Sequence, residues 1–177
     1  MNLARYFRAT TADVDEVKAE AWNDLTWTPE SQQTALIEQY KIYVEMADRV
    51  SSRRGLTNTF FLTLNTLIVT TFGTLWKEPP RAAAWYLTVT LLALLVQCAS
   101  WFWLLRSYRQ LNSAKYIVVG ALEERLPASP YWRAEWKALG QGRDPSRYWP
   151  MSHLEQWIPV SFAALYIGAY VIGVVNA

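Results

Sequence analysis

The side chains able to do covalent or acid–base chemistry are few in this sequence and poorly placed for it. There is one histidine, His153, and one cysteine, Cys98. With one of each, a Cys/His metal cluster is excluded by counting, and a Ser-His-Asp triad has weak support. Gly140 and Gly142 in LGQG lack both the phosphate-cradling motif and a preceding strand. Glu123 and Glu124 are sequence neighbours, so on a helix their carboxylates diverge and do not form an acid–base pair. The expectation is a protein that is not an enzyme and takes no cofactor and no metal.

The polar chemistry that stands out is of another kind: hydroxyls and amides set inside an apolar segment. Leu56 to Trp76 contains ten Leu, Ile, Val or Phe residues, each favouring membrane insertion by roughly 0.3 to 0.6 kcal/mol. Interleaved with them are Thr57, Asn58, Thr59, Thr63, Asn65, Thr66, Thr70, Thr71 and Thr74. At about 100° per residue, Thr59, Thr63, Thr66, Thr70 and Thr74 fall within an arc of about 80°. Asn58 and Asn65 stack on the adjoining face, and Leu56, Phe60, Phe61, Leu64, Leu67, Ile68 and Leu75 take most of the opposite half. Such an amphipathic span turns one side to lipid and the other to protein or water. Two readings stand: a pore-lining face, or an interhelical seam in which hydroxyls bond back to their own helix and amides bond across helices.

The segment that must hold this span in place is Ala82 to Leu105, which contains no Asp, Glu, Lys or Arg. As a helix it runs roughly 36 Å, longer than the ~30 Å hydrocarbon core. Trp85 and Tyr86 near one end, and Trp101 and Trp103 near the other, suit the two interfaces. Gln97 is its one strongly polar residue near the middle and is expected to hydrogen-bond within the bundle or to face a pore. Ile158 to Val175 is a third apolar run, with Pro159 in its first turn. Its pairs Ala164/Gly168 and Ala169/Gly173 would permit close helix contact. A re-entrant or surface-lying run is the alternative there.

A hydrophobic content of 52 % with 10 Trp and 10 Tyr in 177 residues suits a small membrane protein. The net charge of +2 is too small to argue for nucleic acid as a partner. Cys98 lies inside a span, so there is no disulfide framework and the redox compartment stays open. No cleavable signal peptide is expected, since the first 30 residues lack an apolar stretch. The fold class is all-α: about three transmembrane helices with extended cytoplasmic helices, in a homo-oligomer.

In chain order, 1–28 is a cytoplasmic arm and short helix. Leu3, Arg5, Tyr6, Phe7 and Arg8 could rest on an anionic membrane or be mobile, and Asp13 with Glu16 opens a helix carrying Val14, Val17, Ala21 and Leu25 on one face. Residues 29–55 form a cytoplasmic amphipathic helix with Thr28 as N-cap and Pro29 at its first position. Leu36, Tyr40, Tyr43, Ala47 and Val50 make a short seam, within the chain or between subunits. Arg49, Arg53 and Arg54 close that helix, with Gly55 a possible hinge. Residues 56–105 are a transmembrane hairpin turned by the prolines of WKEPPR. Residues 106–153 are a cytoplasmic helix, with Leu104, Tyr108, Leu111, Val118 and Leu122 in helical rhythm, followed by a wrapping loop. Residues 154–177 are the last span.

Past Leu105 the sequence resembles a known family. SYRQLNSAKYIVVGALEERLP, then EWKALGQGRDPSRYWPMSHLEQWIP, with YKIYVEMADRVSSRR upstream, are similar to the RipA family of octameric small bacterial membrane proteins. The shared pattern is YR-x-LN-x-x-K, LE-x-x-LP, EW-x-x-LG-x-G-x-D, Y-x-P and a Glu before the last span. The resemblance covers residues 36 to 177 and includes no catalytic signature. It implies a helical homo-oligomer, an octamer and so a ring, multi-pass in the bacterial cytoplasmic (inner) membrane. Within it, Tyr108, Arg109, Asn112 and Lys115 are candidate juxtamembrane contacts, to lipid phosphates or to Glu45, Asp48, Glu123 or Glu124, against a plain solvated charged face. The functional expectation is a structural or permeation assembly whose partners are itself and membrane lipids. The alternatives are an anchor or adaptor for a cytoplasmic partner, whose identity the sequence leaves unknown, and a pore-forming stress or defence effector.

Orientation follows from Lys and Arg. Lys41, Arg49, Arg53, Arg54, Arg106, Arg109, Lys115, Arg143 and Arg147 lie on the side of the N-terminus and long loop, against Lys77 and Arg81 in the hairpin turn. Positive-inside places the N-terminus in the cytoplasm. A C-terminal alkaline phosphatase fusion should therefore be active and a C-terminal fluorescent fusion dark; the reverse pattern would mean an even number of crossings.

Overall fold

The computed structural model of the protein describes residues 13–23, 26, 28–75, 84–142, 144, 146–148 and 151–175. The expectations for Leu3 to Arg8, for Leu25 and for the WKEPPR turn lie outside those residues. Among the described residues all regular structure is helical: α1 (Val14–Glu20), α2 (Pro29–Leu75), α3 (Ala84–Glu123), a π-helical turn (Pro130–Glu135), α4 (Trp136–Ala138), a 3-10 turn (Gly140–Gly142) and α5 (Met151–Val175). Two compact units partition the chain: Met1–Arg53 with Tyr108–Pro150, and Arg54–Ser107 with Met151–Ala177.

Helix starts follow local chemistry. Asp13 caps α1 by accepting from the Asp15 N–H at 3.0 Å, one residue short of the expected exchange with Glu16. Thr28 begins α2, its Oγ1 accepting a long 3.4 Å bond from the Ser31 N–H while the Ser31 hydroxyl donates to the Thr28 carbonyl. The helix does not close at Arg54 but runs unbroken through Gly55. A glycine inside a helix costs about 1 kcal/mol relative to alanine, whereas a break would orphan a full turn of carbonyls and another of N–H groups.

In the first unit α2 and α3 run antiparallel. The seam Leu36, Tyr40, Tyr43, Ala47 and Val50 is turned inward, with Ala47 buried, so it packs within the chain. Opposite it the buried residues are Ile117, Val119 and Leu122, whereas Leu111 of the expected rhythm is exposed. The stretch 127–153, expected as a loop, is instead wound into helical turns as far as Gly142. Beyond them Asp144 accepts from the Ser146 N–H at 3.0 Å and its hydroxyl at 2.6 Å, which holds the Asp144 carboxyl below the usual range. Gly120 faces the Trp132 ring so closely that a Cβ there would stand 2.5 Å from a ring carbon.

The second unit is a three-helix cluster around Trp101, which is 0 % exposed. Trp101 stacks on Phe61 of α2 (5.6 Å, 10° between planes) and meets Phe162 of α5 at 6.0 Å. Leu105, Cys98 and Tyr166 complete this core. α5 starts at Met151, so Pro159 sits well inside the helix and is buried there, not in its first turn. The ring leaves the Glu155 carbonyl without its helical donor. Among the described residues two helices are long and apolar enough to cross a bilayer, Leu87–Glu123 of α3 and Leu154–Val175 of α5, with mean hydropathies of 1.8 and 2.0 in their apolar windows. In each only 11 % of the window is buried inside the chain, where the core helix of a soluble protein would be mostly buried. The part of α2 from Leu56 to Leu75 is not one of the two, because its threonines and asparagines dilute its apolar residues.

The contact at Gly120 is testable. Gly120→Ala should destabilise the protein by about 1–3 kcal/mol through overpacking. A Trp132→Leu background should accept the same methyl at far smaller cost, as read by denaturant titration of helical signal.

Candidate functional site

The threonines and asparagines of α2 part company in the structure. Thr59, Thr63, Thr66, Thr70 and Thr74 are all exposed. The half-buried or buried positions are Thr57, Asn58, Phe61, Leu64, Asn65 and Ile68. On a helical wheel that inner set is centred roughly 180° from the threonine stripe. The stripe thus faces directly away from the protein's own α3 and α5, and the amides face toward them. Thr70 donates to the Thr66 carbonyl and Thr74 to the Thr71 carbonyl, both at 2.8 Å.

Asn65 is 0 % exposed and satisfied at both ends of its amide. Its Nδ2 donates to the Phe61 carbonyl at 2.7 Å, and its Oδ1 accepts from the Tyr166 hydroxyl of α5 at 2.7 Å. Asn65, which the sequence puts on the face adjoining the threonines, ties two helices of one chain. Arg54 and Glu155 form a second tie between the same helices, Nε to Oε2 at 3.3 Å with both side chains largely buried. The two ties are each 101 residues apart in sequence, so α2 and α5 run parallel and in register. Thr88 and Tyr170 share a further bond of 2.9 Å between α3 and α5. Gln97 is half-buried, but its Nε2 meets no hydrogen-bond partner among the described residues, unlike the bundle bond expected for it. Asn58 Oδ1 is in the same position.

Two of the four juxtamembrane residues have contacts with side chains of α2. Lys115 Nζ lies over the Tyr43 ring, 5.4 Å from its centroid. Asn112 donates to the Ser51 hydroxyl at 3.3 Å. Tyr108 and Arg109 are half-buried. The acids are otherwise engaged: Glu45 pairs with Arg49, and Glu124 with Lys18 of α1. On α5, Ala164 and Ala169 are exposed, and a Cβ on Gly168 would meet open space. Ala169 and Gly173 line an apolar cavity of about 320 Å³, together with Gly73, Leu94 and Leu165. Among the described residues the Gly168 position of the first pair packs against no other helix.

Glu123 is the polar residue whose role sequence spacing missed. Its side chain is 1 % exposed, yet it accepts from the Tyr40 hydroxyl (3.0 Å), the Ser129 hydroxyl (2.8 Å) and the N–H groups of Tyr131 (3.1 Å) and Trp132 (2.9 Å). Burial, reinforced by the bond to Glu123, pushes the Tyr40 phenol well above its ordinary value, so it stays a donor. Beside this node Arg125 lies 3.3 Å from the Trp22 ring centroid, and Lys18 5.5 Å from that of Trp132. The signal was present in LE-x-x-LP, where a Glu at the end of an apolar turn precedes a Pro-rich stretch with N–H groups to satisfy.

Among the described residues no group of three or more His, Cys, Asp or Glu side chains could hold a metal ion, and the His153 side chain lies outside those residues. A family model described as "Octameric membrane protein family (8xMP)" matches residues 37–175. No curated protein and no solved structure matches the chain.

The Asn65–Tyr166 tie gives a direct measurement. In a double-mutant cycle, Asn65→Leu and Tyr166→Phe should show a coupling of about 0.6 kcal/mol, up to about 1.7. Steric-trapping unfolding in bicelles would read it, and independent effects of the two changes would remove the tie.

Proposed function

The chain belongs to the octameric membrane protein family, and from that premise we propose that it is a structural assembly of identical three-span protomers in a bacterial inner membrane. The observation that carries the reading is the threonine stripe of α2, exposed and turned away from the protein's own helices. Five hydroxyl-bearing residues facing hydrocarbon would be a poor use of a lipid-facing surface, while small hydroxyl residues are what close helix interfaces in membranes favour. Thr70 and Thr74 spend their donors on their own helix. What they then present is a methyl and an acceptor, a compact surface that a neighbouring helix can approach. In this reading the stripe packs against the next copy in the ring.

The third crossing is supported by what α2 touches. Phe61 and Asn65 meet Trp101 and Tyr166, which lie inside the two apolar helices. A segment in register with one span and stacked on another shares their depth in the bilayer. Three crossings keep the two termini on opposite sides, with the N-terminus cytoplasmic on charge grounds. The reading contains no catalytic step; partners are further copies of the chain and the surrounding lipids.

A series of threonine variants tests it. Thr63→Leu or Thr66→Leu should dissociate the octamer in mild detergent, because a bulkier side chain blocks close approach. Thr63→Val should weaken it by about 0.6 kcal/mol or less, since the shape is kept. Light scattering reads the subunit count. If instead the valine variants leave assembly intact and change ion flux into reconstituted vesicles, the stripe lines the ring's water-filled axis and the seam lies elsewhere.

A further inference from the structure

Three polar atoms of the second unit are enclosed by protein yet meet no hydrogen-bond partner among the described residues: Asn58 Oδ1, Gln97 Nε2 and Trp101 Nε1. Each exposes less than 1 Å². Because α2 and α3 run antiparallel, Asn58 and Gln97 lie about one turn to either side of the Phe61–Trp101 level, roughly 10 Å apart along the bundle. Trp101 is stacked on Phe61, and Asn58 lies one turn before Phe61 on α2. Gln97 lies one turn before Trp101 on α3. One turn further along α2, Arg54 Nε and the Glu155 Oε2 facing it at 3.3 Å are enclosed too, and too poorly aligned to count as hydrogen-bonded.

Orphaned polar atoms inside a bilayer cost several kcal/mol each. A neighbouring copy cannot satisfy these, because the protomer's own side chains already seal them off. Their chemistry is complementary: the Trp101 indole N–H and Gln97 Nε2 only donate, and Asn58 Oδ1 only accepts. Water does both, and a buried water with two to four such partners is an ordinary structural element.

We propose that the core of each protomer holds a short row of bound waters between α2 and α3, donating to Asn58 Oδ1 at one end, accepting from Gln97 Nε2 at the other and from Trp101 Nε1 between them. The hydrated stretch begins at the Arg54–Glu155 pair and ends at Asn65, whose amide is fully used by Phe61 and Tyr166. It covers roughly 16 Å of helix rise. This site belongs to the single protomer and does not rest on the ring or on what its axis contains.

Hydroxyl-radical footprinting of the intact oligomer in nanodiscs tests it, because radicals formed from bound water oxidise the side chains beside it even where bulk solvent cannot reach. Trp101, fully buried, should be oxidised in the native protein. In the Asn58→Leu/Gln97→Leu double variant that oxidation should be lost, with the oligomer retained. Absence of Trp101 oxidation in the native protein, or equal oxidation in the double variant, overturns the proposal. Should the double variant fail to assemble, native protein labelled with ¹⁵N-tryptophan decides. Magnetisation transfer from water to the Trp101 indole N–H, assigned by its disappearance in Trp101→Phe, supports bound water; an indole N–H silent to water rejects it.

Discussion

A polar group enclosed among apolar side chains needs a hydrogen-bond partner there, and that constraint sorts the polar residues of α2 from Asn58 to Thr74. They divide by how they meet it. Asparagine has two polar ends on a short, stiff arm, so a single buried amide needs partners on two sides. Asn65 finds one on its own helix, at the Phe61 carbonyl, and one across the bundle, at the Tyr166 hydroxyl. Threonine can send its one donor back to a carbonyl three or four residues earlier, as Thr70 and Thr74 do, and then needs nothing from its own bundle. The Asn65 amide therefore binds the protomer together, and the threonine side chains remain on the side the protomer leaves uncovered.

In the first unit a buried carboxylate imposes order by the same logic. Glu123 ends α3, where an isolated anion would be costly to enclose. Four donors surround it, two of them backbone N–H groups at the start of the π-helical turn, where Pro130 brings no N–H and the next two residues have no helical acceptors of their own. One side chain thus satisfies the start of that turn, holds Tyr40 of α2 and sets the direction in which the chain leaves α3. Gly120 completes the arrangement by leaving room for the Trp132 ring that this direction brings back onto the helix.

Much of the helical plan was legible from the sequence, and the places where it was not have physical causes. Thr28-Pro29 announced the start of α2, and the charge-free run before Leu105 announced a span, because capping and apolarity are local properties. At Gly55 the helix runs on unbroken, since glycine permits a break but does not impose one. Asn58 and Asn65 were grouped with the threonines because a helical wheel shows which residues share a face, not which face meets a neighbour. Only the contacts of Phe61 and Asn65 with Trp101 and Tyr166 fix that. Glu123 was missed for a related reason: LE-x-x-LP carried a signal, but its four donors come from two separate stretches of chain, Tyr40 and 129–132.

Features that a protomer leaves unused constrain what surrounds it. Among the described residues the threonine stripe of α2 is turned away from the protomer's other helices, and the Gly168 position of α5 packs against none. Packing explains the tolerance of neither: an apolar branched residue at Thr63 or Gly168 would meet no obstacle inside the protomer and would insert more favourably into lipid. The two helices run parallel and in register, held by Arg54–Glu155 at one level and Asn65–Tyr166 some eleven residues on. Small and hydroxyl-bearing surfaces on two parallel helices lower the distance at which another helix can lie alongside either of them. In a chain that belongs to an octameric family, such surfaces are the ones the proposed assembly assigns to further copies.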